Sequence, residues 1–149
     1  VGWRWVAALR SITPRNAGMA YNIRHAITVS GGVASLNFDN FLVSSGRQLN
    51  VQSPSVAVGT NHSATVTWTD NSGFDPTAIS SDVVIVVLLN TAKDAGVVNL
   101  TSASREDGTL SMNYPASWAG STVHAYVFTR DLENTMVSTS THAGSFSAS

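Results

Sequence analysis

The side chains with which this 149-residue chain could do chemistry are four histidines, nine carboxylates and many serines, and their spacing argues against most of it. His25, His62, His124 and His142 lie far apart, and no two stand at the i, i+4 or short-loop spacing that holds a metal. Neighbouring carboxylates occur at Glu106-Asp107 and at Asp131 and Glu133, inside the turn-forming SREDG and DLENT, so they read as turn residues rather than as a general acid and base. No G-x-S-x-G elbow and no strand-to-helix alternation is present to display a serine nucleophile. SGG at 30–32 lacks the flanking strand and helix of a phosphate loop, and the glycosylation patterns NHS at 61 and NLT at 99 arise easily by chance in so Ser/Thr-rich a chain. The absence of cysteine removes disulfides, zinc-thiolate sites and thiol nucleophiles together. The expectation is a non-enzymatic protein with no catalytic residue, no cofactor and no metal.

Binding is left, and charge is its first indicator. Charged residues make up 11% of the chain, against an average of about 25%. A surface covered by copies of the same protein tolerates few desolvated charges, so the scarcity fits an assembling or secreted protein. It fits equally a Ser/Thr-rich secreted β domain that does not assemble. The net charge of −1 hides an asymmetry: residues 1–38 carry Arg4, Arg10, Arg15 and Arg24 with no acid, and the rest carries −5. Such opposition can steer copies head to tail, or bring a basic arm to an anionic partner such as nucleic acid. Arginines solvating a helix surface would look the same. Trp3 and Trp5 flank Arg4 and cannot share one helical stripe, so at least one of them is expected to meet a partner.

Two kinds of element must position these residues. In ITPRNAGMAYNIRHAITV, Thr13 is placed to cap a helix over about 14–28, with Pro14 at its first position. Met19, Ala20, Ile23, Ala26 and Ile27 recur at three- and four-residue spacing as one apolar stripe, away from Arg15 and Arg24. WRWVAALR reads as a short helix before it, and Gly31 and Gly32 end the helical region. From Val33 the period becomes two, with strands expected at about 33–43, 54–59, 63–69, 82–90, 96–101, 109–113, 121–130 and 135–141, separated by turn formers. In HSATVTWTDNSG the phase points Ala64, Val66 and Trp68 inward and the intervening threonines outward. The layout is a helical segment over 1–32 and an antiparallel β-sandwich over 33–149.

Two strands depart from simple alternation. VVIVVLLN is apolar throughout and needs cover on both faces. TVHAYVFTR puts Val123, Ala125 and Val127 on one face, and His124, Tyr126 and Phe128 on the other. If the first face fills the core, Tyr126 and Phe128 need a cover, either the N-terminal helix or a neighbouring subunit. Tyr114 and Trp118 in NYPASWAG would stack on sugar rings if exposed, or close the end of the sandwich if buried.

ATVTWTD and STVHAYVFTRDLENTMVSTS resemble the Trp-bearing strand and last hairpin of a fibronectin type III or immunoglobulin-like sandwich, over about residues 54–142. GMAYNIRHAIT, VTWTDNSG and SWAGSTVHAYVF together resemble a family of small uncharacterised Bacteroidota proteins over nearly the whole chain. That likeness implies a helical segment followed by a β domain, with a further Gly- and Arg-containing stretch upstream. It carries no catalytic or binding residue across, and the chain departs from the family pattern at LNFDNFLVSSGRQLN and VVIVVLLN.

The reading is mainly β: an immunoglobulin/fibronectin-III-like antiparallel sandwich with an N-terminal helical segment. Its expected role is a structural subunit that self-assembles into an extracellular filament, a surface layer or a virus particle. The candidate subunit contacts are Trp3, Arg4, Trp5, Arg10, Arg15, Arg24, Tyr126 and Phe128. The expected partners are copies of the chain itself, a homo-oligomer, with nucleic acid or polysaccharide as further candidates. A cell-surface module binding carbohydrate or protein is the alternative. No apolar run approaches the roughly 20 residues that span a bilayer; the longest is VVIVVLL at 83–89. The opening VGWRWVAALR, with no Met and no signal-peptide layout, points to processing or to residues upstream of Val1.

Overall fold

The computed structural model describes residues 2–11, 13–99 and 103–149. The side chain of Trp5 and the last two residues of the strand expected at 96–101 lie outside this set.

The N-terminal part begins with α1 (Arg4–Arg10) and α2 (Pro14–His25). Thr13 caps α2 as expected, its hydroxyl accepting from the Asn16 amide at 3.2 Å, with Pro14 at the helix start. Of the expected stripe of Met19, Ala20, Ile23, Ala26 and Ile27, Ala26 is buried and Ala20 half-buried, but the three larger side chains are exposed, and the buried residues within the helix itself are Ala17 and Gly18. The reason is steric, since the Trp3 indole lies so close over Gly18 that a Cβ there would meet it at 3.1 Å. Small residues let the two helices approach, and the larger apolar ones are turned outward.

The helix ends at His25, three residues before the expected limit, and a hairpin of β1 (Ile27–Ser30) and β2 (Val33–Leu36) follows. Gly31 and Gly32 are its two-residue turn, at φ 58° and 80°, the left-handed pair that a tight hairpin requires. They close a ribbon rather than end a helical region, and the boundary expected at residue 32 falls within that turn. The strand expected at 33–43 stops at Leu36, beyond which residues 37–51 form an irregular linker.

The rest is two antiparallel sheets. One consists of β3 (Gln52–Val58), β4 (Ser63–Thr69) and β7 (Thr109–Asn113), in that spatial order. The other contains β5 (Val83–Asn90), β6 (Ala95–Asn99), β8 (Thr122–Arg130) and β9 (Thr141–Ser147), ordered β6-β5-β8-β9. Their facing side chains form one core: Ala64, Val66 and Trp68 from β4, Val84, Val86 and Leu88 from β5, Val123, Ala125 and Val127 from β8. Tyr114 and Trp118 are buried at its end, stacked 6.2 Å apart, with Tyr114 against Phe146.

The last strand lies at 141–147 instead of 135–141. Pairing of Tyr126 with His142 but of Ala125 with Gly144 leaves Ala143 as an extra residue in β9. This bulge shifts the phase, so Ala143 and Phe146 both enter the core at an odd spacing that simple alternation does not anticipate.

Trp68 packs in that core and donates its indole N–H to the Arg105 carbonyl at 2.9 Å. Trp68→Ala is expected to lower the unfolding free energy by about 3–5 kcal/mol through lost burial and cavity formation. An unchanged urea midpoint would remove Trp68 from the core.

Candidate functional site

The structure divides the candidate contact residues into two groups. Arg4, Arg10, Arg15 and Arg24 are exposed on the N-terminal helices. Trp3 is buried within its own chain beside Ala7, Ala17, Tyr21 and Leu42. Tyr126 and Phe128 are buried too, because the outer face of β8 is followed by the chain's own linker. Tyr126 donates to the Phe38 carbonyl at 2.9 Å and meets the Phe41 ring, and further along Thr129 donates to the Leu49 carbonyl at 3.0 Å. The cover for the aromatic face is thus the linker, neither the helix nor another subunit, and Tyr126 and Phe128 are not free to serve as subunit contacts.

That linker is pinned by residues that look unrelated in sequence. The bulge in β9 brings His142 onto the face of the sheet that carries His124 and Tyr126. There His142 Nδ1 lies 2.6 Å from the Asp39 carboxylate, and His142 Nε2 lies 3.2 Å from His124 Nδ1. Phe38 stacks flat on His124 with ring centres 3.5 Å apart. Every contact is satisfied when both rings are neutral: Asp39 accepts the His142 Nδ1–H, and His142 Nε2 accepts the His124 Nδ1–H. Burial, followed by the charge of His142, holds the His124 pKa below its ordinary value, with Asp39 partly opposing. Burial, and then Asp39, raises that of Tyr126.

A second network anchors the loop between β4 and β5. Arg105, read from sequence as a turn residue, is fully buried and pairs with Asp82 at 3.1 Å. It also donates to Asn71 Oδ1 at 2.5 Å and to the Leu49 carbonyl at 2.8 Å. Asn71 in turn donates to the Asn50 carbonyl at 2.9 Å, and Asp82 accepts from the Ile79 amide at 2.9 Å. Asp75 accepts from the Thr77 amide and hydroxyl, first the hydroxyl and then the amide lowering its pKa. From this braced loop Phe74 projects with 83% of its surface exposed.

Beside the first helix lies a hollow of about 210 Å³, lined by Arg4, Gly46, Arg47, Thr135, Met136 and Val137 among others. Its floor is tight, since a Cβ on Gly46 would fall 1.9 Å from the Val137 carbonyl oxygen, so only glycine fits there. Its rim is held by Asp131, which accepts from the Thr135 and Met136 amides at 2.7 and 3.0 Å and from the Thr135 hydroxyl. Burial alone would raise the Asp131 pKa, but these hydrogen bonds and the Arg130 charge together hold it below the ordinary carboxylate value. Among the described residues, no cluster of three or more His, Asp or Glu side chains is arranged to hold a metal, and no helix is long and apolar enough to cross a membrane.

Two measurements follow. Arg105→Ala leaves Asp82 buried without its cation and is expected to cost about 3–5 kcal/mol in unfolding free energy; a cost near zero by urea titration would show that the pair does not brace the loops. His124, its folded pKa below the ordinary 6.5, contributes stability that is fully present above that value and is lost as pH falls through the lowered one. In thermal unfolding from pH 8 to pH 5, His124→Gln should therefore flatten the acid-side decline. Parallel declines in wild type and variant would separate His124 from acid sensitivity.

Neither the curated proteins nor the solved structures compared with this chain contain a match to it. A family model does match, over residues 1–144, and takes in the helices, the ribbon, the linker and most of the β domain. The chain belongs to that family, described as a family of unknown function (DUF6266).

Proposed function

We propose that this protein is a non-enzymatic structural subunit that self-assembles, as an extracellular filament, a surface layer or a virus particle, around an immunoglobulin/fibronectin-III-type sandwich. The sheet orders β3-β4-β7 and β6-β5-β8-β9 support the sandwich type. The observation that carries the assembly reading is the uncovered β1–β2 ribbon. Among the described residues no third strand joins it, and Val29 and Val33 are 70% and 69% exposed. A lone two-stranded ribbon is at best marginally stable in water.

Its edges are also unguarded. β3, an edge strand of the β domain, carries Pro54 and a bulge between Gln52 and Ser55, and β9 is bulged at Ala143. Residues 27–36, ITVSGGVASL, contain no charge and no proline. Next to the ribbon, Met19 and Ile23 add exposed apolar surface, and the four N-terminal arginines are exposed while the β domain carries the opposite net charge. The alternative of a carbohydrate-binding module loses the aromatic pair that suggested it, because Tyr114 and Trp118 are buried.

Sedimentation across concentration, with negative-stain imaging of the heaviest fraction, tests the reading. Wild type should form species larger than a monomer, and Arg10→Gln/Arg15→Gln/Arg24→Gln or Val29→Ser/Val33→Ser should shift them toward monomer. Wild type that remains monomeric at every concentration overturns it.

A further inference from the structure

We infer that Phe74 of one copy inserts into the hollow between Arg4 and Arg47 of a second copy. The inference rests on the assembly reading and names one of its contacts.

The knob has three properties that suit it to a partner. Phe74 is the most exposed of the large apolar side chains described, with most of its surface open to a partner. It is presented rigidly: its amide donates to the Asn71 carbonyl at 3.3 Å, the Gly73 amide donates to Ala78 at 3.0 Å, and Asn71 is gripped by buried Arg105. A stiff aromatic loses little conformational entropy when it becomes a contact. It is also flanked by carboxylates, Asp70 and Asp75, each tied into its own turn through Ser72 and Thr77.

The hole has the complementary properties. Met136 and Val137 give it an apolar lining, and Arg4 and Arg47 place two cations around it. A guanidinium beside an aromatic face is favourable, and Asp70 and Asp75 would arrive close to these charges. The cavity of about 210 Å³ falls below the roughly 300–1,000 Å³ of small-molecule sites and suits a single side chain.

Knob and hole sit at one end of the β domain. Residues of 76–82 and of 131–136 line a common hollow, and the second of these loops also forms the wall of the Arg4 hollow. With both halves of the contact on one end, two copies can satisfy it reciprocally about a two-fold axis. The β1–β2 ribbon then remains available to extend the assembly.

Sedimentation equilibrium of wild type, Phe74→Ala and Arg4→Glu decides the matter, with thermal unfolding of each as the check on fold. Phe74→Ala should leave the unfolding midpoint unchanged and weaken the two-fold association at least tenfold, as loss of an aromatic anchor does. Arg4→Glu should weaken it as well, by repelling Asp70 and Asp75. If wild type associates and both variants associate equally well, the inference fails while the assembly reading stands. If wild type is monomeric throughout, the assembly reading itself fails. Should phenylpropionate saturate wild type but not Arg4→Glu, with self-association untouched by either, the hollow is a small-molecule site and the knob has another role.

Discussion

The buried ion pair between Arg105 and Asp82 is the constraint on which this end of the β domain depends. An arginine with no solvent contact must have its charge answered inside the protein, because desolvation penalises an unpaired guanidinium by several kcal/mol. Asp82 and Asn71 from the β4–β5 loop and the Leu49 carbonyl from the linker answer its two terminal nitrogens, while Nε is left without a hydrogen bond. The linker, the β4–β5 loop and the turn before β7 are therefore fixed relative to one another by a single side chain. The Arg105 carbonyl also accepts the Trp68 indole proton, which joins this polar network to the apolar core.

The histidine cluster closes the other half of the linker. Asp39, His142, His124 and Phe38 hold the chain directly after the ribbon onto β8 and β9. Residues 37–51 consequently run from one anchored point to another, and the aromatic outer face of β8 is covered from within. The N-terminal unit, by contrast, leaves much of its apolar surface uncovered. Its helices pack on each other through Trp3, Ala17 and Gly18, and they leave Met19, Ile23 and the ribbon facing water. The β domain thus encloses one apolar core, while the N-terminal unit buries only a small cluster around Trp3 and Ala17.

Much of this was legible in the residues. Period-two alternation in ATVTWT predicts the inward phase of Ala64, Val66 and Trp68, and all three are core. The apolar run VVIVVLLN predicts a strand covered on both faces, and Val84, Ile85, Val86 and Leu88 are buried. Thr13 and Pro14 mark the start of α2 through local capping chemistry alone. Two misreadings share a cause, in that a single residue changes the phase or replaces the expected contact. The bulge at Ala143 moves His142 to the side of His124, and the Trp3 indole over Gly18 turns the helix so that its larger apolar residues face out.

The sequence by itself determined the mainly β class, the helical start, the inward phase of the central strands and the opposition of charge between the two parts. These are local or compositional properties, set by side-chain period, capping and residue counts within a few turns of the chain. Only the tertiary structure decided that Asp39, His124 and His142 meet, that Arg105 is buried, that Tyr126 lies under the linker, and that Phe74 and the Arg4 hollow share one end. Such meetings join residues as many as 103 positions apart, and they depend on strand order, on a bulge and on the path of an irregular linker. None of these leaves a periodic trace in the chain.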